Sequence, residues 1–381
     1  MGNFFRGGNW SNTILIYMDS FSNFIYKIRD SIDVYLSSKD VIIFYFSNTK
    51  KVIEFRTSEN TIYLLSLING FRTIEEIVKL YNEKYIDRKI EETSIIKVFK
   101  FLVSKNILYL ANHNNINDYR YDRQISYLSE FYQTHNQSVI QDKLLNSHVT
   151  IFGVGAIGGN IALLLAMAGV QNFTLIDYKK ISKDSLVRHS YYRDEYIGLY
   201  KTEAIKREIL KINNNINIKS IPIFINYDTD ISDYIDNSDF IINSADYPYI
   251  GYTSIKISRE AIKKNKPHYI AGGFDLHLLS TGELIIPGVT PCADCYKSYF
   301  RTALKDWNPE KKNIHYVDNE MGGFSSQSLF SASFASIQII KFLCSIDSGL
   351  HISRGEMNIE NYQIDYLNIK RDENCPICGK H

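Results

Sequence analysis

A strand, a glycine-rich loop and a helix follow one another between residues 148 and 168, and this order constrains the fold more than any other stretch. The apolar run His148-Val149-Thr150-Ile151-Phe152 predicts a buried parallel strand, and the run from Asn160 to Ala168 predicts the helix after the turn. The loop has Gly-x-Gly-x-x-Gly spacing and contains Gly153, Gly155, Ala156 and Gly158. Because glycine lets the backbone approach a phosphate and a helix N-terminus attracts its charge, the unit predicts a nucleotide-binding α/β domain.

A second apolar strand, Phe173-Thr174-Leu175-Ile176, ends at Asp177. An acid in this position is placed to accept hydrogen bonds from ribose hydroxyls. The simpler interpretation is a structural turn with a solvated aspartate. The strand, loop and helix that precede Asp177 favour the nucleotide site.

Three further charged residues favour phosphate chemistry over redox chemistry. Arg188 and Lys201 lie beyond the second strand, where both could reach a triphosphate. Asp246 follows the strand Phe240-Ile241-Ile242-Asn243, and the carboxyl edge of an α/β sheet is where ligands bind. A carboxylate there suits magnesium, although Asp246 could also cap a helix that starts near Tyr249. Either cation, taken singly, could be a surface charge.

Four of the five cysteines form two Cys-x-x-Cys pairs, namely Cys292 with Cys295 and Cys375 with Cys378. Four thiolates are the ligand set of a closed, structural zinc site that would tie the C-terminal segment to an earlier one. Redox-active pairs are the alternative, which is disfavoured because neither pair is predicted to begin a helix after a strand. The fifth cysteine, Cys344, is predicted to be a core thiol at the end of an apolar helix.

Length and charge limit the remaining possibilities. A chain of 381 residues is expected to form two domains. Its 43 basic and 42 acidic residues are interspersed, so we expect neither a nucleic acid nor a membrane as partner. No apolar run approaches the length of a membrane span, and the first residues do not resemble a signal peptide. We therefore expect a cytoplasmic protein.

The first 113 residues predict a separate winged-helix-like module, followed by an α/β domain over residues 114–381. Paired strands are predicted at 41–46 and 51–55, then three helices, and then a short strand at 107–110. The module lacks a basic recognition face, so peptide binding by strand addition is favoured over DNA binding. A packing domain without a ligand is the alternative.

This module resembles the precursor-peptide recognition element of ribosomal-peptide maturation enzymes. The resemblance rests on the hydrophobic pattern of residues 61–70, the break at Asn69-Gly70 and the run Phe71 to Val78. It implies that the module holds a short precursor peptide.

The rest of the chain resembles the ubiquitin-activating-type (ThiF/MoeB-like) adenylyltransferases of molybdopterin and thiamine biosynthesis. The residues that carry this resemblance are Arg120-Tyr121-Asp122-Arg123-Gln124, the glycine loop, Asp177, Arg188, Lys201, Asp246 and the two cysteine pairs. Within that group the chain is most similar to the enzymes that activate the microcin C precursor peptide, through the runs Lys201 to Glu208, Ser244 to Pro248 and Val289 to Cys295.

The resemblance implies a Rossmann-like, mostly parallel sheet and a homodimer, in which Arg123 reaches the phosphates of the neighbouring subunit's nucleotide. It also implies that Asp177 holds the ribose, that Arg188 and Lys201 neutralise the triphosphate and that Asp246 binds Mg²⁺. Departures from the family pattern occur at three positions, Lys179 in place of an acid, Ser185 in place of a nucleotide-contacting Asn and His189 in place of a Gln. They leave the choice between ATP and CTP open.

The predicted reaction is attack by a peptide carboxylate, preferentially the C-terminal one, on the α-phosphorus of the nucleotide, with release of pyrophosphate. No cysteine lies between Tyr296 and Leu343 to accept the acyl group, so transfer to an enzyme thiol is disfavoured. One alternative is activation of side-chain carboxylates for dehydration or cyclisation. The other is a non-catalytic partner that holds a leader peptide for a cyclodehydratase. A sulfur-carrier activator and a nicotinamide dehydrogenase are less well supported.

Overall fold

The computed structural model describes residues 24–111, 119–131, 137–275, 277–305, 323–346 and 354–379. The chain divides into two compact units, residues 1–141 and 142–381. The boundary predicted between residues 113 and 114 lies outside the described residues, so the predicted domain limits remain a proposal. Helix α5, defined below, contains the observed division.

The first unit contains six strands and four helices among its described residues. Its strands are β1 (Ile25–Ile28), β2 (Ile32–Ser38), β3 (Val41–Phe46), β4 (Lys51–Arg56), β5 (Asn69–Thr73) and β6 (Leu108–Leu110). Its helices are α1 (Glu59–Ser66), α2 (Ile74–Lys84), α3 (Glu92–Ser104) and α4 (Asp122–Ser129), with 3-10 turns at Ile86–Arg88 and Tyr119–Tyr121. Antiparallel pairing gives two three-stranded sheets, β5-β1-β6 and β2-β3-β4.

Local sequence explains why these elements form. Alternate residues of β3 are buried, including Phe44, because successive strand side chains point to opposite faces. Helix α2 begins with a capping box, in which the Thr73 hydroxyl accepts from the Glu76 N–H at 3.3 Å and the Glu76 carboxylate accepts from the Thr73 N–H at 2.8 Å. Helix α3 buries Ile95, Phe99 and other apolar residues against this core.

The predicted strand pair, the helices and the closing strand of this unit are present. Strands β1, β2 and β5 were not predicted. The helix before the predicted break at Asn69-Gly70 ends at Ser66, and these two residues begin β5. The winged-helix designation is not confirmed by this arrangement and stays a prediction.

The second unit is α/β. Its strands are β7 (His148–Phe152), β8 (Asn172–Ile176), β9 (Asn217–Ile221), β10 (Phe240–Asn243), β11 (His268–Ile270), β12 (Phe274–Asp275), β13 (Leu278–Ser280), β14 (Glu283–Ile285), β15 (Gly355–Asn358) and β16 (Ile364–Tyr366). Its helices, with α5 (Gln137–Asn146) leading in, are α6 (Ala156–Ala168), α7 (Ser185–Arg188), α8 (Lys201–Ile212), α9 (Ser232–Asp236), α10 (Ile250–Lys263), α11 (Ala293–Ala303) and α12 (Ser325–Leu343), with a 3-10 turn at Asp194–Tyr196.

A six-stranded sheet in the order β14-β11-β10-β7-β8-β9 forms the centre of this unit. All its neighbours pair in parallel except β14, which is antiparallel to β11. Strands β7 and β10 are buried on both faces, as expected for strands covered by helices. The prediction of a Rossmann-like, mostly parallel sheet is confirmed. The strand order reverses between β7 and β10, where ligands bind in this class of fold.

A separate antiparallel sheet in the order β12-β13-β15-β16 lies in the same unit. Nearby on β14, the buried Glu283 carboxylate contacts the Arg354 guanidinium at 3.3 Å. Burial raises the pKa of Glu283 to about 7, although Arg354 acts in the opposite direction. The carboxyl is therefore partly protonated near neutral pH.

Across the described ranges, none of the helices combines the length and the apolar character that a bilayer crossing requires.

Candidate nucleotide-binding site

A cavity of about 560 Å³ opens at the carboxyl edge of the central sheet. Its wall is built from the segments that follow β7, β8, β9 and β10, together with parts of α7 and α8. This volume is in the range of small-molecule sites. The predicted site residues that line it are Gly153, Gly155, Ala156, Asp177, Arg188, Lys201 and Asp246.

The glycine loop turns from β7 into α6 beside the segment that follows β10. Gly153 has a φ of +82°, and a Cβ there would lie 2.6 Å from the Ala245 nitrogen, so no other residue fits. Gly155 is the N-cap of α6 and provides no side chain to bond the first N–H groups of the helix. A Cβ on Gly155 would meet no atom within 4 Å. The first turn of α6 therefore presents N–H donors and a positive dipole end to the cavity.

Gly158 is not part of the cavity wall. A Cβ at this position would lie 2.0 Å from the Gly153 carbonyl oxygen and 2.3 Å from the Ser244 hydroxyl oxygen. The Ser244 hydroxyl itself donates to the Gly153 carbonyl at 2.5 Å. Gly158 therefore allows close packing behind the loop, and its predicted contact with the nucleotide stays a prediction.

Asp177 lies directly after β8, and backbone donors hold its carboxylate. The Val154 N–H donates to Oδ2 at 3.0 Å, and the Lys179 N–H donates to Oδ1 at 2.8 Å. Burial raises the pKa of Asp177. Several neighbouring groups lower it, and the Lys201 ammonium has the largest effect among them. Each carboxylate oxygen can still accept a further hydrogen bond, as a ribose hydroxyl would require.

Lys201 is the first residue of α8, and Arg188 is the last of α7. Burial lowers the pKa of Lys201, while the Asp177 carboxylate raises it. A polyphosphate in the cavity would favour the charged ammonium in the same way as Asp177 does. Arg188 and Lys201 thus bring two cations to the same cavity that the first residues of α6 line.

Asp246 does not cap the next helix, because the N-cap of α10 is Tyr249. Its carboxylate is 77% exposed and lies 3.7 Å from the Lys179 ammonium. Lys179 is the residue that stands in place of an acid in the family pattern, and its side chain lines the cavity too. The Lys179 ammonium therefore forms an ion pair with the Asp246 carboxylate, which we expect to bind Mg²⁺.

Ser185 is buried and lies outside the cavity wall. Its hydroxyl lies 3.0 Å from the Ser182 hydroxyl oxygen and accepts from the Ser182 N–H at 3.3 Å. Its proposed role in nucleotide binding stays a prediction. His189, four residues later, does line the cavity.

The cavity also has an aromatic wall, made of Tyr178, Phe224 and Tyr247, that was not predicted from the sequence. The ring centroids of Tyr178 and Phe224 are 4.8 Å apart, and the Tyr247 ring lies 5.6 Å from Phe224. Each residue follows the carboxyl end of a parallel strand, as Asp177 and Asp246 do. This position after a strand is the sequence signal by which the three aromatic residues could have been found. Aromatic and aliphatic walls of this kind suit the flat face of a nucleobase.

Arg123 lies in α4 of the first unit and is exposed. Its proposed contact with the nucleotide of a neighbouring subunit stays a prediction.

The four paired cysteines meet at one buried point of the second unit. The Sγ atoms of Cys292 and Cys375 are 3.7 Å apart, and those of Cys295 and Cys378 are 3.5 Å apart. All four sulfurs lie within 4.8 Å of one another. A tetrahedral ion with metal–sulfur bonds of about 2.3 Å needs sulfurs about 3.8 Å apart, so these residues fit a zinc ion.

The first cysteine pair lies in a different local structure from the one predicted. Cys292 is the N-cap of α11 and Cys295 lies in its first turn, so this pair does begin a helix. The prediction that neither pair begins a helix after a strand is therefore wrong, and it no longer disfavours redox-active pairs. The clustering of four sulfurs at metal-binding distances is the observation that favours a metal site.

The fold and the cavity define a nucleotide-binding α/β protein whose donors are arranged for phosphates. The chain belongs to the ThiF family, and the match covers residues 121–377. Family membership and the cavity together support a nucleotidyltransferase.

Two curated relatives illustrate the range of the similarity. The vegetative HesA protein of Trichormus variabilis is 28% identical over 250 residues, which cover 63% of this chain and 84% of that protein. The adenylyltransferase and sulfurtransferase UBA4 of Vanderwaltozyma polyspora is 25% identical over 183 residues, which cover 46% of this chain and 40% of that protein.

Solved structures show the same fold over nearly the whole chain. E. coli MccB in complex with AMPCPP and the peptide MccA aligns with a TM-score of 0.69 and 24% identity, covering 93% of this chain and 99% of that one. E. coli MccB with ATP aligns with a TM-score of 0.68 and 23% identity, with the same coverage of both chains.

Proposed function

We propose that this protein is a nucleotidyltransferase that activates a carboxylate, preferentially the C-terminal one, of a short ribosomally made precursor peptide in microcin C-like antibiotic biosynthesis. The observation that carries the proposal is the meeting of Asp177, Arg188, Lys201 and Asp246 with the α6 N-terminus on one cavity of a ThiF-family chain. The similarity to MccB, whose structures include ATP and the peptide MccA, supports the choice of substrates.

In the proposed reaction a carboxylate oxygen of the peptide attacks the α-phosphorus. A new oxygen–phosphorus bond forms, the bond to the bridging oxygen of the β-phosphate breaks, and pyrophosphate leaves with the electron pair. Arg188 and Lys201 stabilise the negative charge that moves onto the leaving group, and the α6 N–H groups hold the phosphates in line. Because the carboxylate is already ionised, this step needs no general base.

Metal ions complete the proposal. Asp246 would hold Mg²⁺, which supplies further charge neutralisation when it is bound. The four cysteines would hold structural Zn²⁺. We further propose a homodimer in which Arg123 reaches the partner's nucleotide, and a cytoplasmic location without nucleic-acid or membrane partners.

The first unit is the proposed binding site for the peptide. Among its described residues, β2 and β4 are the edge strands of the β2-β3-β4 sheet, and Tyr35 and Leu36 of β2 are exposed. An exposed strand edge can accept an extended peptide as an additional strand.

Exchange of labelled pyrophosphate into ATP or CTP tests this function with the short peptide encoded beside the gene. We expect exchange that requires both the peptide and Mg²⁺. Mass spectrometry of the product then separates an added nucleotide from the loss of water that side-chain activation would give. Absence of exchange with either nucleotide would instead favour the non-catalytic peptide-holding role.

Lys201→Met tests whether the ammonium in the cavity contacts the phosphates. A lost charge-assisted hydrogen bond should weaken ATP or CTP binding about 10- to 100-fold, as measured by calorimetry. Arg207→Met removes an exposed cation from the same helix and should leave binding within about twofold of wild type. Equal effects of the two substitutions would show that Lys201 does not contact the phosphates.

A further inference from the structure

His189, a residue of the cavity wall, carries a buried ring nitrogen without a hydrogen-bond partner. The side chain is 4% exposed and lines the cavity wall. Its Nδ1 lies 2.6 Å from the Ser185 carbonyl oxygen, whereas Nε2 has no hydrogen-bond partner in the structure. An unpaired polar atom in such a position is costly, which indicates that a ligand supplies the partner.

The contact with Ser185 determines which kind of ligand group can bind. A carbonyl oxygen only accepts hydrogen bonds, so Nδ1 must carry the proton in this contact. In a neutral imidazole the other nitrogen is then an acceptor. Burial, together with the Lys201 ammonium, lowers the pKa of His189 to about 4, so the ring is neutral near pH 7. Nε2 therefore requires a hydrogen-bond donor.

Two tyrosines hold the imidazole beside the glycine loop. The ring stacks on Tyr192 at a centroid distance of 4.5 Å and meets the edge of Tyr191 at 5.8 Å. The Tyr191 hydroxyl donates to the Gly155 carbonyl at 2.9 Å, and the Tyr192 hydroxyl donates to the Val154 carbonyl at 3.4 Å. The acceptor nitrogen is thus fixed relative to the loop that we expect to hold the phosphates.

The chemistry of a nucleoside triphosphate offers few donors for this position. Ionised phosphate oxygens are acceptors and cannot satisfy Nε2. The amino group of a base belongs with the flat ring, for which the aromatic wall of Tyr178, Phe224 and Tyr247 is the suitable surface. The ribose, which joins the base to the phosphates, carries two hydroxyl donors.

We propose that Nε2 of His189 accepts a hydrogen bond from a ribose hydroxyl, so that His189 makes the site selective for ribonucleotides over deoxynucleotides. This inference rests on the proposed nucleotide-binding function. Asp177 remains available for the other hydroxyl.

The test compares the binding of ATP, 2′-deoxy-ATP and 3′-deoxy-ATP, and of the three cytidine counterparts, to the full-length wild type and two variants. His189→Phe keeps a ring against Tyr192 but removes the acceptor. Tyr227→Phe is the control, because it removes the hydroxyl of an exposed tyrosine that does not line the cavity. Calorimetry gives each dissociation constant, and circular dichroism confirms that each variant is folded.

We expect wild type and Tyr227→Phe to bind one of the two deoxynucleotides about five- to tenfold more weakly than the ribonucleotide. His189→Phe should bind this deoxynucleotide and the ribonucleotide with equal affinity. A ribose preference that persists in His189→Phe, or no preference in wild type, would overturn the inference while leaving nucleotide binding intact. Absence of binding of every nucleotide would instead remove the proposed function, and this inference with it.

A measurement on the wild type covers the case in which His189→Phe does not fold. In protein labelled with ¹⁵N at histidine, the Nε2 resonance of His189 should shift when ATP or CTP is added. The deoxynucleotide that lacks the ribose hydroxyl bonded to His189 should leave this resonance unshifted. An identical response to all three forms would contradict the proposed bond.

Discussion

Substituting Cys375 by Ser removes one thiolate from the four-cysteine cluster and should release the C-terminal segment from the α11 N-terminus. The segment between Cys295 and Cys375 is about 80 residues long. A metal held by both cysteine pairs therefore closes a long loop, and it does so within a buried apolar cluster that includes Ile262 and Ile285. Because the unfolded chain gains the most entropy when a long loop opens, the expected loss of stability is large.

The loop-closure relation used for cross-links gives about 4 to 5 kcal/mol for a loop of this length. Folded domains are typically stable by only about 5 to 15 kcal/mol, so the substitution removes a large part of the total. With a urea dependence of about 2 to 3 kcal/mol per M, the unfolding midpoint should fall by about 1.3 to 2.5 M. Loss of the metal also removes its binding free energy from the folded state, so the fall should be at least this large.

The assay pairs metal analysis with urea unfolding followed by circular dichroism. Wild type should carry about one zinc per chain and Cys375→Ser almost none. Cys344→Ala is the matched control, because Cys344 is as buried as the cluster cysteines but lies outside it. This control should keep its zinc and lose no more than about 1 kcal/mol.

A wild-type protein that unfolds at the same urea concentration after complete removal of its metal would refute the reasoning. So would a Cys375→Ser variant whose midpoint falls no further than that of Cys344→Ala. Either outcome would mean that packing alone holds the C-terminal segment in place.

Two further predictions concern the packing and the pH dependence of the second unit. Gly158→Ala places a Cβ 2.0 Å from the Gly153 carbonyl and 2.3 Å from the Ser244 hydroxyl, so it should lower the free energy of unfolding by about 1 to 3 kcal/mol in urea titrations. Gly155→Ala has open space and should cost less than about 1 kcal/mol, and equal losses would contradict the packing argument. The pKa of Glu283 rises on folding from 4.5 to about 7, so folding is progressively disfavoured as pH rises between these values. Glu283→Gln should therefore match wild type near pH 4.5 and exceed its stability by about 3 kcal/mol at pH 8, and a constant difference across this range would contradict the assignment.

Much of the site could be predicted because its parts are local. Gly153 and Gly155 follow a buried strand and precede an apolar helix, a pattern whose meaning depends on neighbouring residues alone. Asp177 and Asp246 could be placed for a related reason, since the carboxyl ends of parallel strands meet at one edge of the sheet. The cysteine pairs were recognisable from their spacing.

Other features depend on contacts between segments far apart in the sequence. The ion pair of Lys179 with Asp246 joins the ends of β8 and β10. The strands of the first unit were missed where their sequences lack clear alternation, as in β2, whose residues after Ile32 are all exposed. Strand propensity depends on the neighbouring strands, and the sequence does not show which strands those are.

The sequence by itself determined the order of strand, glycine loop and helix, the charged residues at the sheet edge and the two cysteine pairs. Only the tertiary structure decided that Ser185 bonds Ser182 instead of lining the cavity, and that an aromatic wall lines the cavity of the glycine loop. It also decided that His189, another residue of that wall, carries a buried acceptor without a partner. The physical reason is that periodicity and spacing specify which residues a segment exposes. What an exposed or buried polar atom finds as its partner depends on how distant segments pack around it.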